Sequence, residues 1–581
     1  MADSLITLRN AALTAEIDLQ KQTLTILDSV TGYRLFLADA LCLTAPAVDG
    51  EAPGYAFEGA VCAGESAELR FTSAKVDYTL TIDLSKGDIR LAPRMTRCTA
   101  RELNALYILP AGSGLNFFDL VNFRNRHGSS FTWPELNLAD AVNTTTFSND
   151  WQFAPHPSLF MFRRDAITLL CAPVDMHRAF GYEYASKRYR LEKWILNYGE
   201  AGHGLPLDGG CELPAFTFMR RAGGTVYDAL DDYCRLLVRE GKIADPKGKP
   251  AFPWHRANLY CTWCDQSALM ELKRGGEPLP IELDAQTNVV AHPSKLLTAA
   301  MIRRAAGIIR REGLPFTTFM IDDGWQRALG DWRADEERLG DFRGLIDELH
   351  AMGFKVILWI NFADIVPEAH VEERFLVPGY VNRHGKRVWN YSDETVRREY
   401  LEPLIRRLVS DEPGCYNADG IKTDFLADKV HPDTPCALEW RGEENYFMHL
   451  FRFVMETMRR YKKDACHLGA AGHPFLAEYM DIIRTYDFVS TNLNEQRERA
   501  LMVTHSSCGA PVALDFHGCN ENYHEYFALA KELDCSVEIG KIMYMKRDIF
   551  APLEEADEAF YDFLRRELTD TQARLDGEAR A

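Results

Sequence analysis

The stretch FMIDDGWQ, residues 319–326, ends an apolar run with two adjacent carboxylates, Asp322 and Asp323, followed by Gly324 and Trp325. A pair of charges costs several kcal/mol if buried without partners, so either water or a well-fitted polar group must meet it. The same ending recurs along the chain. WCDQ supplies Trp263 and Asp265, LWINFAD supplies Trp359, Asn361 and Asp364, and IKTDF supplies Lys422 and Asp424. CHLG brings His467, IRTYDF brings Arg484 and Asp487, and LDFHG brings Asp515 and His517. Carboxylates accept hydrogen bonds from hydroxyls, and indole faces cover the apolar side of a pyranose ring. That mixture suits a sugar. Cleaving a glycosidic bond takes two carboxyl groups, one to attack or to activate water and one to protonate the leaving oxygen. Asp424 and Asp487, on different segments, are the pair selected here.

Each residue also has a structural role open to it. An Asp at the end of a strand caps the next helix, Lys422 can simply pair with Asp424, Trp325 and Trp359 can be core, and His467 can be a satisfied polar group. Capping does not explain acids at five or six strand ends.

Such residues need a scaffold that brings strand ends together. From about residue 257 the rhythm is strand, helix, strand. ANLYCTW, FTTFMI, KVILWI, GIKTDF, ACHLGAAG, IIRTYDF and APVALDF read as seven apolar strands, with an eighth placed around VTHSS. Between them lie amphipathic stretches such as SKLLTAAMIRRAAGIIRREG, with Ser294 as its N-cap and Gly313 as its stop. Continuous apolar strands alternating with helices imply a parallel sheet covered by helices, and eight of them fit a closed (β/α)8 TIM barrel with its chemistry at the C-terminal rim. No GxGxxG or Walker sequence follows a strand, so nucleotide binding lacks its usual anchors.

The preceding region reads in twos. VDYTLTIDL sets Val76, Tyr78, Leu80, Ile82 and Leu84 against Asp77, Thr79, Thr81 and Asp83, the mark of strands with one wet face. The expected organisation is an N-terminal antiparallel β-sandwich over 1–222, a helical connector and linker over 223–254, the barrel over 255–565 and a fraying polar tail over 566–581.

The net charge of −19 over 581 residues argues against nucleic acid and anionic membranes, which require clustered Lys and Arg. No run of about 18 apolar residues suggests a membrane span, and the start MADSLITLRN lacks a signal-peptide pattern. The expectation is therefore a cytoplasmic protein whose fourteen cysteines are reduced, Cys261 and Cys264 included. It carries no cofactor and no metal, and acts on a small oligosaccharide or glycoside. Assembly into a homo-oligomer is left open.

MIDDGWQ, GIKTDF and IRTYDF together resemble the second-, fourth- and sixth-strand signatures of clan D glycoside hydrolases, especially glycoside hydrolase family 36, the α-galactosidase and raffinose-synthase group. APVALDFHG is similar to a further downstream stretch, and a β-region ahead of a barrel is that family's order. The resemblance implies Asp424 as nucleophile, Asp487 as acid/base, and Asp322, Asp323, Trp325, Trp359, Lys422, Arg484, Trp263, Asp265, His467 and Asp515 as substrate-binding residues. Lys422 and Arg484 would keep the nucleophile ionised. Thr423, Phe425 and Tyr486 depart from the family pattern, as does HLGAAG after the fifth strand, and these departures bear on galactose specificity.

The implied activity is retaining, exo-acting α-glycoside hydrolysis by double displacement through a covalent glycosyl-enzyme. Three other readings stand beside it. A transglycosylase would pass the sugar to a second hydroxyl. A metal-dependent barrel hydrolase would draw on His467, His473, His505, His517, Asp424 and Asp515. A non-catalytic carbohydrate-binding protein would keep the aromatics without the chemistry.

Overall fold

A computed structural model describes residues 4–109, 114–116, 119–120, 142–143, 159–164, 166–187, 190–207, 212–249, 252–275, 292–382, 385–424, 434–470, 472–485, 493–515, 523–546 and 551–578. The chain divides into two compact units. One comprises residues 1–151, 155–244 and 430–448, and the other 152–154, 245–429 and 449–581.

The first unit is built from antiparallel sheets of five, six and eight strands among the described residues. Strand Val76–Asp83 shows the expected alternation, with Val76, Tyr78, Leu80 and Ile82 fully buried and the residues between them half-buried. Period-two patterning puts those four on one face, where they join a single core with Leu69, Leu91, Leu106, Leu196 and Phe218. The helix Val226–Arg239 follows, opened by a capping box in which Thr225 and Asp228 satisfy each other's backbone amides.

The second unit is the closed parallel barrel. Its eight strands are Leu259–Cys261, Thr318–Ile321, Lys355–Ile360, Gly420–Thr423, Cys466–Gly469, Ile482–Arg484, Val512–Asp515 and Ser536–Ile539. Seven of these fall on the segments read as strands. The eighth does not: VTHSS lies in the helix Leu493–Ser506, and the closing strand is SVEI, which pairs with both the seventh and the first. Leu259, Cys261, Ile357, Leu468 and Ala513 fill the interior from the odd strands, with Met320 and Ile482 from the even ones, in the layered manner of such barrels.

Three further expectations need correction. The helix leading into the second barrel strand begins later than read: Pro293–Leu296 is a 3-10 turn, and Thr298 caps Ala299–Arg311 by accepting from Met301 N at 3.1 Å. Gly313 does stop it, at φ +62°. Cys234 and Cys508 are each disulfide-bonded, so neither is a reduced thiol, whereas Cys261 and Cys264 are free. The supposed tail is structured through residue 578, in a helix running from Glu558. Leu564 and Leu568 are fully buried there, and Asn258, just before the first barrel strand, donates to Leu568 O at 2.9 Å and to Gln572 Oε1 at 3.2 Å. No described helix is long and apolar enough to cross a membrane.

If residues 566–578 close the N-terminal side of the barrel in this way, Leu568→Ala leaves a cavity and costs about 2–5 kcal/mol. A fraying tail would give less than about 0.5 kcal/mol for the same substitution. The midpoint of urea unfolding separates the two.

Candidate active site

A cavity of about 250 Å³ opens at the C-terminal ends of the second, third and fourth barrel strands, lined among others by Trp263, Asp322, Asp323, Trp359, Lys422 and Asp424. Five strands, the second, fourth, sixth, seventh and eighth, bring charged groups beneath and around it. On the fourth strand, Lys422 points inward and donates from Nζ to Asp322 Oδ2 at 2.7 Å, with Glu538 Oε1 at 3.6 Å on its other side. All three are at most 3% exposed. Burial and the nearby Arg484 charge oppose the ammonium, but Asp322 and Glu538 outweigh them and hold its pKa well above the ordinary value.

Asp424, one residue beyond the fourth strand, is only 5% exposed. Trp359 Nε1 donates to its Oδ2 at 3.0 Å and Arg484 Nη2 to its Oδ1 at 2.8 Å. The other terminal nitrogen of Arg484 donates to Asp515, on the seventh strand. One fully buried guanidinium thus bridges two carboxylates, the geometry for which a planar fork is suited.

The turn after Ile321 is set by Gly324. Its φ is +119°, and a Cβ there would sit 2.2 Å from Ser294 O, so no other residue fits without moving backbone. The turn leaves Asp322 and Asp323 at the cavity. Asp322 Oδ1 accepts from Asp323 N at 2.8 Å, and Asp322 N donates to Thr262 Oγ1 at 3.0 Å. Among the described residues Asp323 has no ammonium or guanidinium within ion-pair distance; Gln326 Nε2 donates to it, and His292 Nδ1 stands 4.0 Å away. Burial pushes its pKa from 3.8 up to about 6, opposed by Gln326 and reinforced by the charges of Asp322 and Asp424.

Of the residues chosen from sequence, Asp322, Asp323, Trp263, Trp359, Lys422 and Asp424 converge on this cavity. Arg484 and Asp515 stand behind Asp424, one joined to it directly and the other through the guanidinium. Asp487 lies outside the described residues, as does His517. Three assignments as sugar contacts are corrected. Trp325 is fully buried, stacked on Phe342 at 5.5 Å with its Nε1 donating to Trp359 O at 2.8 Å, so neither ring face nor N–H is offered to a ligand. Asp265 is fully buried in the helix after the first strand, where it accepts from Tyr260 Oη at 2.8 Å and from the amides of Ile542 and Met543 at 3.1–3.2 Å. His467 has both ring nitrogens engaged, with Thr423 Oγ1 at 3.0 Å and Tyr479 O at 2.7 Å, and burial lowers its pKa to about 4.

Leu329, His292, Asn361 and Asp364 line the cavity and were not selected as site residues. Asn361 and Asp364 stand at a strand end and were legible there; His292 and Leu329 sit in loops with no periodic signal. Glu538 was missed with its strand. Among the described residues, the one group with metal-ligand spacing is His255, Cys466 and Asp481. It sits where strands begin rather than end, and Asp481 already accepts from Arg459 at 2.5 Å.

Residues 292–507 match the family model described as the glycosyl hydrolases family 31 TIM-barrel domain. Families 31 and 36 share clan D, so the likeness read from the motifs holds at the level of the clan, while family 36 is not the one that matches. No curated protein sequence matches the chain significantly. Among solved structures, it is similar in fold to the α-N-acetylgalactosaminidase NagBb from Bifidobacterium bifidum, with 11% identity, TM-score 0.62, and coverage of 98% of this chain and 93% of that one. The cycloalternan-forming enzyme from Listeria monocytogenes is also similar, with 12% identity, TM-score 0.51, and coverage of 99% and 54%. The chain carries a glycoside hydrolase barrel.

The raised pKa of Asp323 has a stability consequence. Between its unfolded value of 3.8 and its folded value of about 6 the native state binds the extra proton, so stability falls as pH rises through that window. Above it, Asp323→Asn removes a poorly compensated buried charge. The variant should be more stable than the parent at pH 7.5, by on the order of 2–3 kcal/mol, and equal to it near pH 3.5. Paired denaturant curves at the two pH values test this, and equal gaps at both would refute the assignment.

Gly324→Ala should unfold at markedly lower denaturant, by several kcal/mol, because the methyl meets backbone on a left-handed residue. Gly340, also at positive φ but with no atom within 4 Å of an added Cβ, provides the control. Its Ala variant should lose only about 1–2 kcal/mol.

Proposed function

We propose that this chain is a retaining, exo-acting α-glycosidase of α-galactosidase-like specificity. The observation carrying this reading is Asp424: a nearly buried carboxylate that still opens on a cavity of about 250 Å³, fixed by an indole N–H on one oxygen and a guanidinium on the other. Drug-sized ligands occupy roughly 300–1,000 Å³. A smaller, half-closed space suits one terminal sugar ring and not an internal stretch of polymer.

In the proposed reaction Asp424 attacks the anomeric carbon as the glycosidic C–O bond breaks. Asp487, three residues beyond Arg484 in sequence, gives its proton to the departing oxygen. Water then attacks the same carbon, Asp487 takes a proton from it, and the ester to Asp424 is released with net retention. Double displacement of this kind sets the two carboxyl groups about 5–5.5 Å apart. Trp359 and Arg484 hold the nucleophile in one orientation before substrate arrives, so little ordering is left for the transition state. Asp322, Asp323, Asn361 and Asp364 provide acceptors for hydroxyl groups, and Trp263 an aromatic edge. Chemistry of this kind serves galactose and N-acetylgalactosamine alike, and the fold shared with NagBb makes both part of the same test.

Asp424→Asn should reduce turnover of aryl α-galactoside or aryl α-N-acetylgalactosaminide at least about 10³-fold in protein that still unfolds cooperatively, because Asp515 stays on Arg484. Azide added to Asp424→Gly should restore aglycone release and yield a β-glycosyl azide. Full activity in Asp424→Asn, or an α-azide, would sink the reading. Product analysis with a competing sugar acceptor distinguishes transfer from hydrolysis.

A further inference from the structure

A second cavity, of about 180 Å³, is lined in part by the loop that also lines the catalytic pocket. Leu329 lines the catalytic pocket, and the next two residues, Gly330 and Asp331, line this one. Its remaining wall comes from residues 370–375 and from the helical stretch 399–407, including Tyr400 and Arg407.

The charges around this cavity are unevenly matched. Asp331 takes Arg327 and, at 3.4 Å, Arg333. Glu372 takes Arg374 at 2.7 Å, and Glu399 takes Arg374 and Arg398. Arg407 has no carboxylate among the described residues. It donates from Nη2 to the carbonyls of Asp331 and Trp332 at 3.3 and 3.5 Å, longer than good N–H···O bonds, and its Nε is buried with no acceptor. A buried cationic donor left unmade costs free energy, and a guanidinium fork is satisfied best by a planar carboxylate or a phosphate.

We propose that this cavity is a second ligand site, separate from the catalytic pocket, for an anionic ligand of about one sugar ring, with Arg407 as its anchor. The volume sets the size, since it falls below that of drug-sized pockets. Arg407 and Arg333 set the charge, and Phe375 and Tyr400, with ring centroids 5.4 Å apart, give an apolar wall beside hydrogen-bonding groups. A sugar acid and a sugar phosphate share this chemistry.

The test is calorimetric titration of the full chain with D-glucuronate and, separately, with glucose 6-phosphate. At least one should bind saturably, and which one does identifies the anion. Arg407→Gln should weaken that binding about tenfold or more, the loss expected for one charge-assisted pair. Arg333, with a side chain 65% exposed, tolerates replacement, so Arg333→Gln keeps the test decisive should Arg407→Gln fail to fold, and it too should weaken binding. Asp424→Asn should bind the anion as the parent does, which keeps this result independent of the glycosidase reading. Absence of saturable binding by either anion overturns the proposal. So does binding lost in Asp424→Asn but retained in the two Arg variants, which would place the anion in the catalytic pocket.

Discussion

The barrel interior contains a layer that is ionic where it would ordinarily be hydrocarbon. Lys422, Arg484 and Glu538 come from the fourth, sixth and eighth strands and are each at most 3% exposed. Burying an ion costs several kcal/mol even after relaxation, so two cations at the centre of a barrel demand carboxylates within reach. Asp322 and Glu538 answer Lys422, and Asp424 and Asp515 answer Arg484. Asp322 and Asp424 stand at strand ends, where each touches both a buried cation and the cavity, while Asp515 and Glu538 meet the cations from behind. The acids that mark the rim are therefore held by a charge balance set one layer below it.

An apolar brace surrounds that balance. Phe342 stacks on Trp325, Trp325 lies 6.3 Å from Trp332, and Trp332 lies 6.0 Å from Trp359, whose N–H ends on Asp424. All four rings are buried, so the indole that positions Asp424 has few alternative rotamers. Gly324 directs the chain into this arrangement, since its left-handed turn carries Trp325 inward while leaving its acidic neighbours at the cavity. A substitution at Phe342 or Trp332 would reach Asp424 through packing, without touching a ligand.

How far the sequence could be read follows from the same physics. Seven strands were legible because uninterrupted apolar runs bounded by turn residues have few other uses. The eighth, SVEI, was not, because Glu538 breaks its apolar run, and the charge that hid the strand is the one Lys422 requires. Acids at strand ends were legible as a set, but their individual duties were not. Asp265 resembles Asp322 in context, yet the amides of Ile542 and Met543 claim it, and those partners lie 277 and 278 residues away. Trp325 resembled a sugar platform because sequence shows an exposed-looking loop tryptophan but not the torsion of the glycine before it. The tail misled through composition: its polar residues dominate a helix whose buried positions are Phe560, Tyr561, Leu564, Leu568, Thr571 and Leu575.

The two networks also differ in what they leave over. Arg484 is taken up by its two carboxylates, and Lys422 by Asp322 and Glu538, so neither cation is in surplus for Asp323 or Asp364 at the cavity wall. Asp364 draws Asn361 and, at 2.7 Å, Lys386; among the described residues Asp323 draws only the Gln326 amide in close contact, and burial raises its pKa to about 6. Acceptors short of donors are what a polyhydroxylated ring supplies best, since each sugar hydroxyl brings an O–H without bringing a charge. A cation in the same place would neutralise the wall but would also compete with Arg484 for Asp424. Neutral donors complete the wall and leave that pairing intact, which is the electrostatic reason a sugar fits this cavity better than an amine of the same size.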